Sequence, residues 1–251
     1  MGYPNDFIEM LERCSKKGYV DKFIIGGGNP DSNILFVGKE PTDDAEGYNT
    51  LEHYREKIKN GKVDNWTRCR VQEEDYFKEK GKELPNYWNK TQSLWSRYQT
   101  LCDYIYPERK KNRKEIFDFE EIVFCSEMNG SPSKNTATAS KGTINSRKSF
   151  FKDPYFSRFK VILLACGNYI NNNSSNPEER EIDNIFDVEF ATNERPNPRE
   201  YGTKANRFWI HYNKSKTRLV IHTRNLSNGV PNKMLKDMGL LIREFLDKLP
   251  K

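Results

Sequence analysis

Short apolar runs alternate along this chain with stretches of helical periodicity. Ile34-Leu35-Phe36-Val37, Ile122-Val123-Phe124-Cys125, Val161 to Cys166 and Arg218-Leu219-Val220-Ile221 have the length and β-branched content of strands buried on both faces. Between and around them the apolar period lengthens. Phe7, Ile8 and Leu11 predict a short helix over Tyr3 to Cys14, with Asn5 as its cap. Leu94, Trp95, Tyr98, Leu101, Cys102 and Ile105 predict a helix over Thr91 to Tyr106. Ser149 to Phe159 reads as helical, and Met234, Leu235, Met238, Leu241, Ile242, Phe245 and Leu249 predict a closing helix over Asn232 to Leu249. Strands separated by helices predict an α/β fold: a three-layer α/β/α sandwich with a central, mainly parallel four-stranded sheet, in one domain spanning residues 1–251.

The remaining stretches are less regular. Phe208 to Tyr212 and Arg218 to His222 flank the five-residue turn Asn213 to Thr217 and predict a hairpin. Ile182 to Phe190 is expected to add a strand. Gly26-Gly27-Gly28-Asn29-Pro30 reads as a turn and linker, because it lacks the strand, loop and helix order of a phosphate cradle. Arg109 to Lys114 reads as an exposed basic loop, Ser131 to Ser146 as a mobile Ser/Thr/Lys-rich loop, and Asn171 to Asn176 as a polar turn. Residues 50–90, rich in charge and aromatics, read as a helical insertion.

Composition narrows the class. At 251 residues the chain can bury a full core, and 13% aromatic residues argue against disorder despite 31% charged residues and a mean hydropathy of −0.92. The absence of an eighteen-residue apolar run and of a signal-peptide pattern predicts a soluble cytoplasmic monomer without membrane contact. Five scattered cysteines with no C-x-x-C pair read as reduced thiols and predict neither metal site nor cofactor. Net charge is +6 and unevenly placed. Residues 1–125 carry 21 basic and 23 acidic groups; residues 126–251 carry 21 and 13. The segment from Arg195 to Arg224 holds eight basic residues and one Glu, interleaved with Tyr201, Phe208, Trp209 and Tyr212, a composition suited to a phosphate backbone.

Candidate chemistry collects where two of the strands end. The first strand stops at Gly38, and Pro41 bars further ladder pairing. Glu40, Thr42, Asp43, Asp44, Tyr48 and Asn49 follow, at the edge where α/β proteins bind ligands. The last strand runs into His222-Thr223-Arg224-Asn225-Leu226-Ser227. Together the two loops resemble those of the uracil-DNA glycosylase superfamily: Gly38, Glu40, Pro41 and the Gly47-Tyr48 pair match its first motif, and His222, Leu226 and Ser227 its second. Thr223 and Asn225 depart from it, since many relatives carry proline there.

The resemblance implies a fold, an activity and roles. The fold would be uracil-DNA glycosylase-like, and the protein a monofunctional DNA glycosylase, hydrolysing the bond between sugar and an extruded base to leave an abasic site. Glu40 would stabilise the sugar cation and orient water, and His222 would donate to a base carbonyl. Gly38, Pro41, Thr42, Asp43 and Tyr48 would line the base, with Tyr48 stacking on it. The loop after the second strand would read the base edge through Asn129, with Ser126 and Glu127 as close alternatives. Leu226 would fill the gap in the duplex, while Arg207, Lys216, Arg224, Asn225 and Ser227 would hold DNA. Efficient uracil-specific relatives carry Tyr after the motif proline; Thr42 here leaves more room. Together with the longer Glu40 and with Glu127, this favours a 5-substituted or hypermodified cytosine and a setting in phage defence. Uracil excision in DNA repair, a catalytically silent DNA-binding relative and a nucleotide-binding protein are the alternatives.

Overall fold

A computed structural model describes residues 2–41, 49–62, 94–112, 117–133, 139–172, 176, 179–194, 196–227 and 229–250. Its centre is one eight-stranded sheet: β1 (Gly27–Gly28), β2 (Ile34–Gly38), β3 (Phe124–Glu127), β4 (Val161–Leu164), β5 (Glu189–Phe190), β6 (Arg199–Tyr201), β7 (Thr203–Tyr212) and β8 (Leu219–Thr223). The spatial order is β1-β3-β2-β4-β8-β7-β5, with β6 paired to β7. The four strands in the middle, β3, β2, β4 and β8, are mutually parallel. β1 and β7 join them antiparallel on either side. The fold is therefore mixed α/β with a mostly parallel central sheet, as the alternation of strands and helices implies.

Each parallel strand is apolar on both faces because helices cover both. Leu35, Val37, Ile162, Leu164 and Val220 point into one core with α1 (Asn5–Lys16), α2 (Leu51–Lys59) and α6 (Ile144–Phe150). Ile34, Phe36, Val161, Leu163, Leu219 and Ile221 point into the other, against α3 (Leu94–Ile105) and α8 (Asn232–Asp247). α4 (Pro107–Asn112), α5 (Phe119–Ile122) and α7 (Glu181–Phe186) complete the helices among the described residues. None of them is long and apolar enough to cross a membrane.

Several local expectations are corrected. Asn5 is the first helical residue of α1 rather than its cap; Pro4, with φ fixed near the helical value, occupies the cap position. Gly26 to Gly28 is no linker, because Gly27 and Gly28 pair with Cys125 and Phe124. Gly26 and Gly28 have φ of +140° and +86°, and a side chain on either would strike a carbonyl of the neighbouring segment. Ile122 closes α5, so β3 begins two residues later than its apolar run. Arg109 to Asn112 belongs to a helix, where Arg109 pairs with Asp118 at 3.3 Å and with Glu121. Helix α6 starts at Ile144, earlier than expected, and Pro154–Arg158 is a separate 3-10 turn capped by Asp153. Ile182 to Phe186 is helical because Ile182 and Phe186, four residues apart, share a buried face. Asp187, at φ 52°, ends that helix before β5.

Candidate functional site at the carboxyl edge of the sheet

The order of the parallel strands reverses between β2 and β4, so the loops leaving their carboxyl ends diverge and open a crevice. The loop after β2 continues the ladder with the loop after β3. Met128 N donates to Gly38 O (3.0 Å), Asn129 N to Lys39 O (2.7 Å) and Ser133 N to Pro41 O (3.0 Å). Glu40 is thereby held half-buried beside Tyr169, the last residue of the 3-10 turn Gly167–Tyr169 that follows β4. Lys39 Nζ lies 4.8 Å from the Tyr169 ring centre, and Lys141 Nζ lies 6.0 Å away. Burial, reinforced by the Glu40 carboxylate, pushes the Tyr169 hydroxyl up to about 12.

Glu127 ends β3 directly opposite Gly38. Its carboxylate occupies the space a side chain at position 38 would need: a Cβ there would lie 2.9 Å from Glu127 Cδ and nearer still to Oε2. Gly38 is required by this carboxylate, since its backbone is ordinary extended strand. Oε2 is enclosed and has no hydrogen-bond partner. Burial raises the Glu127 carboxyl to about 8; Arg147 opposes the rise and the charge of Glu40 adds to it. The buried Tyr98 hydroxyl on α3 also lacks a hydrogen-bond partner and feels the Glu127 charge.

The neighbouring candidates are committed elsewhere. Ser126 faces the opposite side of the sheet, donating to Ile25 O (2.7 Å) and accepting from Arg147 Nη2 (2.6 Å). Arg147 is fully buried, bonded to the carbonyls of Glu127 and Ile24 and packed against the rings of Phe23, Phe150 and Phe151. Asn129 is also fully buried. Its Nδ2 donates to Ser140 O (2.8 Å), and its Oδ1 accepts from Thr143 Oγ1 (2.6 Å) and Ser131 N (3.2 Å). It pins its own loop while also lying against the Tyr169 hydroxyl beside Glu40, and Glu127 is the member of the trio whose side chain keeps an unpartnered oxygen. Thr42, Asp43 and Tyr48 lie outside the described residues.

At the end of β8 the second motif takes a different form. His222 donates through Nε2 to Gly167 O (2.8 Å), and its Nδ1 accepts from Asn172 Nδ2 (3.2 Å), a pairing that assigns the neutral tautomer. It stacks on Trp209 at 5.3 Å. Burial, stronger than the opposing pull of the Gly167 carbonyl, lowers it to about 4. Both nitrogens are thus used within the protein. Leu226, expected as an exposed wedge, is fully buried in the apolar cluster that contains Val230 and Met234, because the chain turns inward to start α8. Asn225 Oδ1 accepts from Ser227 N (2.8 Å), closing a local turn.

The basic candidates divide between two edges. Arg224 leaves β8 at the carboxyl edge, 3.4 Å from Asn206 Oδ1. Arg207 lies beside it on β7, over the Trp209 ring at 4.6 Å and 3.6 Å from Glu200. Lys216 sits in the β7–β8 turn, at the amino edge, because β8 runs parallel to β2 away from that turn. The length of β8, about 15 Å, separates it from the candidate site.

The loop after β4 was missed by sequence reasoning. Gly167, at φ +55°, touches both motif loops: a Cβ there would meet Lys39 Cε at 3.4 Å and Arg224 Cα at 3.8 Å. The signal was available, since Gly167 and Tyr169 follow the clearest core strand at the switch point. Two open grooves, of about 700 Å³ between α1 and α2 and about 670 Å³ between the β6–β7 hairpin and α8, include none of Glu40, Glu127 and His222. No protein-family model matches the chain, and no curated protein matches it.

Proposed function

We propose that this protein is a DNA glycosylase of the uracil-DNA glycosylase kind. It hydrolyses the N-glycosidic bond of an extruded modified pyrimidine, with a 5-substituted cytosine favoured over uracil. The observation that carries the reading is the convergence of the two motif loops on Gly167. Four parallel strands in the order β3-β2-β4-β8 deliver Glu40 and the His222 loop to one edge of the sheet. Breaking the glycosidic bond leaves positive charge on the sugar and negative charge on the base. A fixed carboxylate serves the first, and Lys39, Arg207 and Arg224 around the same edge suit the DNA phosphates. The fold, the DNA partner and the role in defence all belong to this proposal.

The test is incubation with DNAs carrying single uracil or modified cytosines, followed by alkali and separation of the strands. Wild type should yield strand breaks at the modified base. Glu40→Gln should lower the single-turnover rate by about 10²-fold or more while leaving DNA binding nearly intact. Unchanged cleavage by that variant removes Glu40 from the mechanism. The saturation of His222 favours a second reading, a DNA-binding relative without catalysis. Salt-sensitive DNA binding with no abasic product from any base would select it.

A further inference from the structure

We infer that Glu127 is the proton donor to the departing base, acting beside Glu40 so that two carboxyls divide the acid and the anionic roles. The inference rests on the glycosylase reading and deepens it. A base leaving from the sugar takes the bonding electron pair with it, and a neutral donor at its carbonyl oxygen lowers the cost of that charge. The resemblance gives this task to His222. In this chain His222 Nε2 already donates to Gly167 O, its Nδ1 is occupied by Asn172, and the ring is 5% exposed. Donating to a base would require breaking the Gly167 bond.

Glu127 has the opposite situation. It stands at the end of β3 against Gly38, one strand over from the loop that carries Glu40. Its Oε2 is enclosed without a partner, and the Tyr98 hydroxyl, also buried and unbonded, lies on the same side. The charged and titratable groups around it are Arg147 from α6, Glu40 from the β2 loop, Tyr98 from α3 and Cys166 after β4. Arg147 spends its own bonds on the Glu127 and Ile24 carbonyls and on Ser126, so burial prevails and the carboxyl stays protonated up to about pH 8. A carboxyl whose surroundings keep it protonated can serve as the acid beside a second carboxyl in another role.

The step balances without a cofactor. The bond from sugar C1′ to base N1 breaks and its electron pair leaves with the base. The Glu127 proton passes to the base O2, and water adds through oxygen to C1′. The proton lost by that water is taken by Glu40 and returns through solvent to Glu127. The products are an abasic sugar and the neutral base.

The experiment compares wild type, Glu127→Gln and Glu127→Asp on DNAs carrying a base of the class that wild type cleaves and its fluorinated counterpart, with fluorine on carbon 5 of uracil or on the 5-substituent itself of a substituted cytosine, a better leaving group of similar size. Circular dichroism checks that each variant is folded. Glu127→Gln should slow release of the ordinary base by roughly 10²-fold and release of the fluorinated base by less than about tenfold, since an easy departure needs little acid. The wild-type rate should fall above about pH 8, and Glu127→Gln should lack that fall, whereas Glu127→Asp keeps it at a displaced pH. Equal slowing of both bases, or an alkaline fall that survives in Glu127→Gln, overturns the assignment while the glycosylase reading stands. A wild type that releases no base from any DNA overturns both.

Discussion

The loops at the ends of β2 and β8 face the same crevice and treat their polar groups in opposite ways. After β8, His222 has both nitrogens bonded, Asn225 closes on Ser227 and Leu226 is in the core. At β2 and β3, Glu127 holds an enclosed oxygen without a partner against a glycine and shares its surroundings with Glu40. Saturated polar groups stabilise a structure, whereas an unsatisfied carboxyl in low dielectric costs stability and retains chemistry. The difference teaches that the β8 end is built as a post, whereas the β2–β3 end keeps an uncommitted carboxyl, which is why the proposed chemistry is placed there.

The largest expected effect breaks that comparison if it fails. Leu226→Ala should destabilise the protein by about 2–5 kcal/mol, the usual cost of emptying a buried leucine site. Urea unfolding measures it. A loss under about 0.5 kcal/mol would mean that Leu226 is exposed in solution, and DNA affinity should then fall instead. That outcome would return Leu226 to the role of a wedge.

His222 sharpens the comparison through pH. Its folded value of about 4 lies below the ordinary 6.5, so the unfolded chain takes up a proton first as the pH falls. The contribution is therefore complete above about pH 6.5 and is lost between there and pH 4, to a total of about 3 kcal/mol. Stability measured across this window should fall in wild type and stay flatter in His222→Gln. The sign reverses at Glu127, whose carboxyl is raised to about 8, so that ionising it costs stability as the pH climbs from about 4.5 to 8. Glu127→Gln should therefore gain most in melting temperature at alkaline pH.

Gly38→Ala comes next in size, at about 1–3 kcal/mol, because the new methyl group meets the Glu127 carboxyl. Shortening Glu127 to Ala in the same chain should recover most of that loss. Strict additivity of the two changes in urea unfolding would show that the carboxyl does not rest on Gly38.

What could be read in the sequence follows from what each residue type encodes locally. Ile34 to Val37, Val161 to Leu164 and Leu219 to Ile221 are apolar on every position because both sheet faces are covered, so their burial was legible. The hairpin of β7 and β8 was legible through its turn residues. β1 was not: three glycines carry no apolar signal, and their pairing depends on Phe124 and Cys125 almost a hundred residues away. Ile182 to Phe186 misled because a short apolar segment fits both periods and packing decides between them. Among the candidate site residues, Glu40 and His222 were picked out through strand ends. The saturation of His222 was hidden, since its partners Gly167 and Asn172 lie about fifty positions away. The burial of Asn129 was hidden likewise, because Asn129-Gly130 has the composition of an open turn.

The smallest effect concerns the two basic edges. Arg207 and Arg224 lie beside the carboxyl edge, whereas Lys216 lies at the far end of β8 in the exposed hairpin turn. A cation that neutralises a phosphate releases about 0.9 counterion, so each lost contact should flatten the dependence of log affinity on log salt by about that amount. Arg207→Ala and Arg224→Ala should each lower the slope by roughly one and weaken binding to every sequence alike. Lys216→Ala should leave the slope unchanged, although it removes the same charge from the same basic stretch of chain. Titrations of one duplex at several salt concentrations separate the cases. A slope that falls equally for all three would place DNA along the whole β7–β8 hairpin rather than at the Glu40 edge, and would detach the basic surface from the chemistry proposed there.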